Sequence, residues 1–167
     1  MEVIEKPKLC EQDIAHRIKD FLVHKENGNW HAELGHIAGL HERGPDMVVI
    51  GGKRNGEKFI IECKGKYNSA SADRSSNKES WVTALGQLIT RMDGPRTIQK
   101  GVTRGRTNEA VKYGLGLYWV GAKRALRRIP KQIAQGLCIH IFSVNDDGVV
   151  KQFTPAMVGK EYPDDAF

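Results

Sequence analysis

Two acidic residues and a lysine stand at a spacing that could support metal-dependent chemistry. Asp46 precedes a short apolar run, and Glu62 and Lys64 lie two residues apart at the end of a second one. On a strand, Glu62 and Lys64 would share one face. Paired carboxylates suit Mg²⁺, which binds one or two carboxylates and keeps several waters. Such a metal can activate a water and neutralise charge on a phosphate, and a nearby lysine can hold that water or stabilise the transition state.

The two apolar runs predict a β-hairpin. Met47–Ile50 and Phe59–Lys64 are rich in strand-forming residues, and an Asn-Gly pair typical of tight turns lies between them. Asp46 and Glu62 are equidistant in sequence from Arg54, so a hairpin closed there places the two carboxylates opposite each other. Opposed residues have Cβ atoms about 4.5–5.5 Å apart. Without a cation, the two acids would repel each other and one would be driven to protonate.

These residues resemble the two half-motifs of the PD-(D/E)XK nuclease superfamily, which includes restriction endonucleases and archaeal-type Holliday-junction resolvases. Pro45-Asp46 is similar to the first half-motif, and Glu62-Cys63-Lys64 is similar to the second. The resemblance implies that Asp46, Glu62 and the Cys63 carbonyl bind Mg²⁺, with Mn²⁺ as a substitute, and that Lys64 is the catalytic lysine, which orients or deprotonates the attacking water. The alternative is a type I turn at Pro45 followed by an exposed edge strand.

The resemblance also implies a glutamate on the first helix that completes the metal site, for which Glu11 is the candidate, and a glutamine that points at the site. The helix predicted over about Cys10–Lys25 carries Glu11 on its apolar face, and Glu33 on the next predicted strand is the rival acid. Glu11 could equally be an exposed acid that favours the helix dipole. The second helix carries Gln87, which we expect to reach the metal or the DNA, with a solvent-facing side chain as the alternative. Arg91 stands four residues later, where the family often has a tyrosine.

The hydrophobic periodicity predicts a chain of both helices and strands, and the resemblance implies an α/β fold with a central mixed sheet flanked by helices. The remaining predicted elements are a strand at Trp30–His36, a helix capped by Ser76 and ending near Met92, a strand at Tyr113–Val120, a basic helix at Gly121–Ile129, and a hairpin of Leu137–Val144 and Val149–Phe153. The expected buried face of the second helix consists of Trp81, Val82, Leu85, Leu88, Ile89 and Met92. The element order matches the restriction-endonuclease-like αβββαβ core that the resemblance implies.

The charge of the chain suits a polyanionic partner. Lys and Arg number 26 against 20 Asp and Glu, which gives a net charge of +6. The predicted DNA-contacting residues are Arg96, Lys100, Arg104 and Arg106 in a Gly- and Thr-containing stretch, and Lys123, Arg124, Arg127 and Arg128 on the basic helix. Solvated charge, or a helix that binds a partner protein or an acidic membrane, would give the same pattern.

Length and composition favour a single intracellular domain spanning residues 1–167. The chain has 167 residues, of which 40% are hydrophobic, and no apolar run approaches the length of a membrane span. The N-terminal residues lack the apolar region of a signal peptide, so we expect a cytoplasmic protein without a membrane partner. The three widely spaced cysteines, Cys10, Cys63 and Cys138, fit reduced thiols.

These features predict a Mg²⁺-dependent phosphodiesterase that acts as a DNA endonuclease. No base-reading element is identifiable, which favours a structure-guided or sequence-tolerant substrate of the junction-resolvase kind. A compact enzyme that cuts both strands commonly works as a homodimer with two sites related by a twofold axis. Two alternatives remain: a non-catalytic DNA-binding protein on the same fold, and a basic protein-interaction domain. An RNA substrate also stays open.

Overall fold

The fold is an α/β arrangement in which helices flank one mixed sheet. The computed structural model describes residues 9–24, 30–37, 45–51, 57–66, 75–92 and 111–167. Its elements are α1 (Glu11–His24), β1 (Trp30–Ile37), β2 (Met47–Gly51), β3 (Glu57–Lys64), α2 (Ser75–Thr90), β4 (Val111–Tyr118), α3 (Trp119–Arg128), α4 (Lys131–Gly136), β5 (Ile139–Val144), β6 (Val150–Phe153) and 3-10 turns at Pro155–Met157 and Asp164–Ala166. The predicted mixed sheet flanked by helices is confirmed.

The described strands form one six-stranded sheet in the order β1-β2-β3-β4-β5-β6. Strands β1 to β3 form an antiparallel meander, β3, β4 and β5 run parallel, and β6 returns antiparallel to β5. Parallel neighbours need a crossover, and α2 and α3 lie in the two connections that supply it. The carboxyl ends of β3, β4 and β5 therefore meet at one edge of the sheet.

The register of the β2–β3 hairpin is the predicted one. Met47 pairs with Ile61, and Gly51 pairs with Glu57. One step beyond the first of these pairs, the same register places Asp46 opposite Glu62. The predicted Asn-Gly turn falls within residues 52–56, which lie outside the described residues. Strand pairing therefore brings together the two acids on which the sequence prediction depends.

Two hydrophobic cores cover the two faces of the sheet. On one face, α1 packs Ile14, Ile18 and Leu22 against Phe59, Ile61, Cys63 and Phe142. On the other face, α2 and α3 pack Ala84, Leu88, Ala122 and Leu126 against Leu115, Leu117, Ile139 and Ile141. Gly116 of β4 allows α1 to approach closely, because a Cβ there would lie 2.6 Å from Ile18 Cδ1 and 2.7 Å from Cys63 Sγ.

Part of the predicted buried face of α2 is wrong. Ala84 and Leu88 are fully buried, whereas Val82 is 49% exposed and Ile89 is 48% exposed. Successive helical residues turn by about 100°, so Val82 lies nearly opposite Ala84 around the helix. The sheet and α3 cover only one narrow stripe of α2. Hydrophobicity alone could not tell which part of a broad apolar band this stripe would be.

Several predicted boundaries also shift. Helix α2 begins at Ser75, so Ser76 lies in its first turn and is not the N-cap. Strand β4 ends at Tyr118 rather than Val120, and α3 begins at once at Trp119, two residues before the predicted start. The glycines of this segment belong to the strand and the helix and do not separate them. Among the described helices, none combines the length and the apolar character needed to cross a bilayer.

Candidate active site

The carboxylates of Asp46 and Glu62 interact at the open end of the β2–β3 hairpin. Asp46 Oδ2 accepts a hydrogen bond of 2.6 Å from the backbone N–H of Cys63, which fixes the direction of this carboxylate. Glu62 is only 1% exposed. Burial raises the pKa of Glu62 to about 7, the charge of Asp46 and a hydrogen bond with it also raise this pKa, and Arg91 opposes the shift. Glu62 is therefore the carboxyl that retains a proton towards neutral pH, mainly because it is buried.

Arg91 is a site residue that sequence reasoning did not place there. Its Nε donates a hydrogen bond of 3.0 Å to Glu62 Oε1, just beyond the last residue of α2. Gln87, one turn earlier, is the residue that the sequence predicts to reach the site. Within the described part of the chain, Gln87 Oε1 is buried and accepts no hydrogen bond. The available signal was a cation four residues from Gln87, together with a strand glutamate that needs a partner when buried.

Lys64 lies beside the carboxylate pair and contacts Glu11. Its Nζ donates a hydrogen bond of 2.8 Å to Glu11 Oε1, and its side chain is 8% exposed. Burial alone would lower the pKa of Lys64, but the hydrogen bond to Glu11 and the charges of Glu11, Asp46 and Glu62 outweigh it, so the pKa is raised. Lys64 is therefore an ammonium ion at neutral pH. This state suits charge stabilisation or orientation of a water, and not removal of a proton.

Gly65 explains how Glu11 reaches Lys64. A Cβ at Gly65 would lie 2.8 Å from backbone atoms of Leu9, Cys10 and Glu11, so only glycine permits this approach of the amino end of α1. The backbone N–H of Lys66 also donates to the Leu9 carbonyl at 2.7 Å. The side chain of Glu11 is 49% exposed and is turned towards Lys64. It is thus neither a buried residue of the apolar face nor part of the carboxylate pair.

A second polar cluster holds the chain just beyond β3, and no sequence pattern predicts it. Lys66 Nζ donates to Asp146 Oδ1 at 2.8 Å, and the Tyr118 hydroxyl donates to Asp146 Oδ2 at 3.0 Å. The Lys66 ammonium also lies 4.9 Å from the centre of the Tyr118 ring. These contacts join the ends of β3, β4 and β5. They fix the segment that carries Lys64.

The predicted DNA-contacting residues divide into two groups. Arg96, Lys100, Arg104 and Arg106 lie outside the described residues. Lys123, Arg124, Arg127 and Arg128 lie on α3, whose opposite side buries Gly121, Ala122, Ala125 and Leu126. The predicted polar face of this helix is confirmed. The side chain of Glu33 also falls outside the described residues, so the rival to Glu11 has no described contact.

The donor set at the hairpin fits a hard cation with few protein ligands. No group of three or more His, Cys, Asp and Glu side chains in the described ranges is arranged to hold a metal ion. The set therefore consists of the Asp46 and Glu62 carboxylates. Mg²⁺ is commonly bound by one or two carboxylates with waters and substrate phosphates. The buried position of Glu62 favours this fit, because burial raises its pKa, the charge of Asp46 raises it further, and a cation would offset both effects.

Comparisons with known proteins give no relative for this chain. No family model, curated protein or solved structure matches it. The function is therefore inferred from the contacts around Asp46, Glu62 and Lys64.

Proposed function

We propose that this protein is a metal-dependent endonuclease of the PD-(D/E)XK type, which hydrolyses phosphodiester bonds in DNA. The observation that carries the proposal is the pairing of Asp46 with the buried Glu62, beside the ammonium group of Lys64. The order α1-β1-β2-β3-α2-β4 supports it, because the resemblance implies the same αβββαβ order. Both half-motifs end up at one end of the same hairpin.

Asp46 and Glu62 would hold Mg²⁺ or Mn²⁺, with the Cys63 carbonyl as a third ligand. When bound, the ion would activate a water and neutralise charge on the scissile phosphate. The N–H of Cys63 holds the Asp46 carboxylate in position, which reduces the reorganisation that binding requires. Arg91 offsets the buried charge of Glu62 until a cation binds. Glu11 would act through Lys64, which it contacts, rather than as a ligand.

Lys64 would stabilise the negative charge that develops on the phosphate or would orient the attacking water. The ion pair with Glu11 keeps its amine protonated and directs it. A fixed cation in a partly dry site stabilises such charge better than one in water, because no solvent has to reorganise. The cations of α3 would contact DNA phosphates outside the site. We further propose a structure-guided or sequence-tolerant substrate and a homodimer that cuts both strands.

The test is cleavage of supercoiled plasmid, a Y-shaped duplex and a four-way junction in Mg²⁺, Mn²⁺ or EDTA. We expect cutting in either metal, none in EDTA, and a loss of at least about 100-fold in Lys64→Ala. The matched control is Lys58→Ala, which removes a lysine from the same strand about 20 Å away. Equal loss in both variants, or cutting by Lys64→Ala at the wild-type rate, would contradict the role of Lys64.

A non-catalytic DNA-binding protein is the second candidate, and one observation favours it. Arg91 pairs with Glu62 and Lys64 pairs with Glu11, so much of the acidic charge is balanced without a metal. In that case, wild-type protein would bind DNA tightly but would not cut in any metal, and Asp46→Ala would bind with unchanged affinity. Cutting that is lost in Asp46→Ala would exclude this candidate.

A further inference from the structure

A groove of about 270 Å³ lies between the first turns of α2, the outer side of α3 and the C-terminal segment. Its lining residues are Lys78, Trp119, Val120, Lys123, Arg124, Arg127 and Asp164. Binding sites for small molecules start at about 300 Å³. At about 270 Å³, the groove lies just below this size, so it holds part of one nucleotide and is too small for a duplex.

The lining combines cations with an aromatic ring. Two helices contribute the positive charge of the groove. Helix α2 contributes Lys78, and successive turns of α3 contribute Lys123, Arg124 and Arg127. The indole of Trp119 packs partly against both cores and also lines the groove. Cations that follow a phosphate backbone, combined with an aromatic surface for a base, are typical of sites for single-stranded nucleic acid. A duplex offers no free base face for stacking.

Carboxylates of the protein already contact these cations. Arg127 Nε lies 3.0 Å from Glu161 Oε1, Arg124 Nε lies 3.8 Å from Glu79 Oε1, and Lys123 Nζ pairs with Asp164. The acids are largely exposed, at 75% for Glu161 and 70% for Asp164. Exposed pairs of this kind contribute little to stability and are screened by salt. A phosphate with several oxygen acceptors can therefore take their place.

We propose that this groove binds one unpaired nucleotide of a nucleic-acid strand. The base of this nucleotide lies against Trp119. The phosphate of the nucleotide replaces the Glu161 and Asp164 carboxylates as the partner of the cations of α3. The proposal rests on the endonuclease function, whose substrate class it narrows to nucleic acid with an unpaired strand. Lys78 and Arg91 are 13 residues apart on and just beyond α2, which puts the groove about 20 Å from the carboxylate pair.

Fluorescence anisotropy in EDTA tests binding without cleavage, using a labelled 12-nucleotide oligothymidine and a 12-base-pair duplex. We expect the wild-type protein to prefer the single strand. Trp119→Leu should weaken single-strand binding by about tenfold or more, whereas Trp119→Phe should keep most of it. The double variant Arg124→Ala/Arg127→Ala should weaken single-strand binding more than the control double variant Lys19→Ala/Lys131→Ala, which removes the same number of positive charges elsewhere. An equal effect of the two double variants, or equal affinity for strand and duplex, would overturn the proposal.

Removal of the competing carboxylate provides a test that does not depend on Trp119, which also packs in the core. Asp164→Asn should tighten single-strand binding severalfold, because one competitor for Lys123 is gone. Asp20→Asn makes the same charge change on the exposed side of α1 and should have a smaller effect. Equal tightening in both variants would mean that only net charge matters, which would overturn the proposal.

These results are separable from a failure of the endonuclease function. If the proposal fails, metal-dependent cutting lost in Lys64→Ala would still be seen. If the endonuclease function fails, single-strand preference and its loss in Trp119→Leu would still be measurable in EDTA, and the groove would belong to a binding protein.

Discussion

At the scale of single residues, the site depends on the unfavourable position of Glu62. The carboxylate is buried, lies next to that of Asp46, and is only partly balanced by Arg91. Its pKa of about 7 means that burial and repulsion outweigh the ion pair. A role in binding or catalysis is a common reason for such a perturbed pKa. A divalent cation would offset both causes at once.

The raised pKa of Glu62 predicts a dependence of stability on pH. The folded protein binds more protons than the unfolded chain between the ordinary pKa of 4.5 and the raised pKa of about 7. The contribution of Glu62 to the free energy of unfolding therefore falls as pH rises through this window, by up to about 3 kcal/mol. Glu62→Gln lacks this loss, so it should gain stability relative to wild type from pH 5 to pH 8. The measurement is urea unfolding of both proteins in EDTA at pH 5 and pH 8. A constant difference in the free energy of unfolding between Glu62→Gln and wild type would contradict the prediction.

At the scale of the elements, two glycines allow the site to form. Gly116 lets α1 pack on β4, and Gly65 lets the amino end of α1 meet the end of β3. The first contact places the helix on the sheet, and the second brings Glu11 to Lys64. Lys66 and Asp146 then hold the same segment against β5. The direction of the Lys64 amine is therefore a property of packing and not of β3 alone.

Glycine-to-alanine substitutions test this packing. Gly65→Ala should lower the free energy of unfolding by about 1–3 kcal/mol, because the added Cβ meets backbone atoms that cannot move independently. It should also reduce cleavage, since Glu11 loses its position. Gly86→Ala is the matched control, because nothing lies within 4 Å of a Cβ there. In an exposed helix, that change should stabilise by up to about 1 kcal/mol. The measurement is urea unfolding of both variants. An equal change in the free energy of unfolding in the two variants would contradict this account.

The hairpin could be predicted from sequence because its determinants are local. Strand alternation and the positions of the two apolar runs on either side of Arg54 indicate the register that places Asp46 beside Glu62. Arg91 and Glu11 could not be assigned their contacts in the same way. Their partners depend on how α2 crosses β3 and how closely α1 approaches Gly65, which are tertiary features.

At the scale of the whole molecule, the positive charge of the described residues is unevenly distributed. Lys123, Arg124, Arg127 and Arg128 concentrate on the outer side of α3, while acids of the C-terminal segment pair with some of them. The side of the chain next to the carboxylate pair is instead close to charge balance. In the proposed endonuclease, α3 would therefore hold the DNA, and the carboxylate pair with Lys64 would supply the chemistry.

This charge distribution predicts that DNA binding depends strongly on salt. If about four phosphates are contacted, duplex affinity in EDTA should fall on the order of 100-fold between 50 and 200 mM salt. Arg128→Ala should reduce the slope of log affinity against log salt by about one contact, whereas Lys160→Ala should leave it unchanged. Affinity that is weak and indifferent to salt would instead support the protein-interaction alternative.

The most direct test of the central claim is a Mn²⁺ titration followed by electron paramagnetic resonance. We expect wild-type protein to bind Mn²⁺ and Glu62→Gln to bind it at least about tenfold more weakly, because one of two carboxylate ligands is lost. The control is Glu57→Gln, which changes another buried glutamate of β3, one that pairs with Lys112 at 3.1 Å. This variant should bind Mn²⁺ like wild type. Equal Mn²⁺ affinity in all three proteins would contradict a metal site at Asp46 and Glu62.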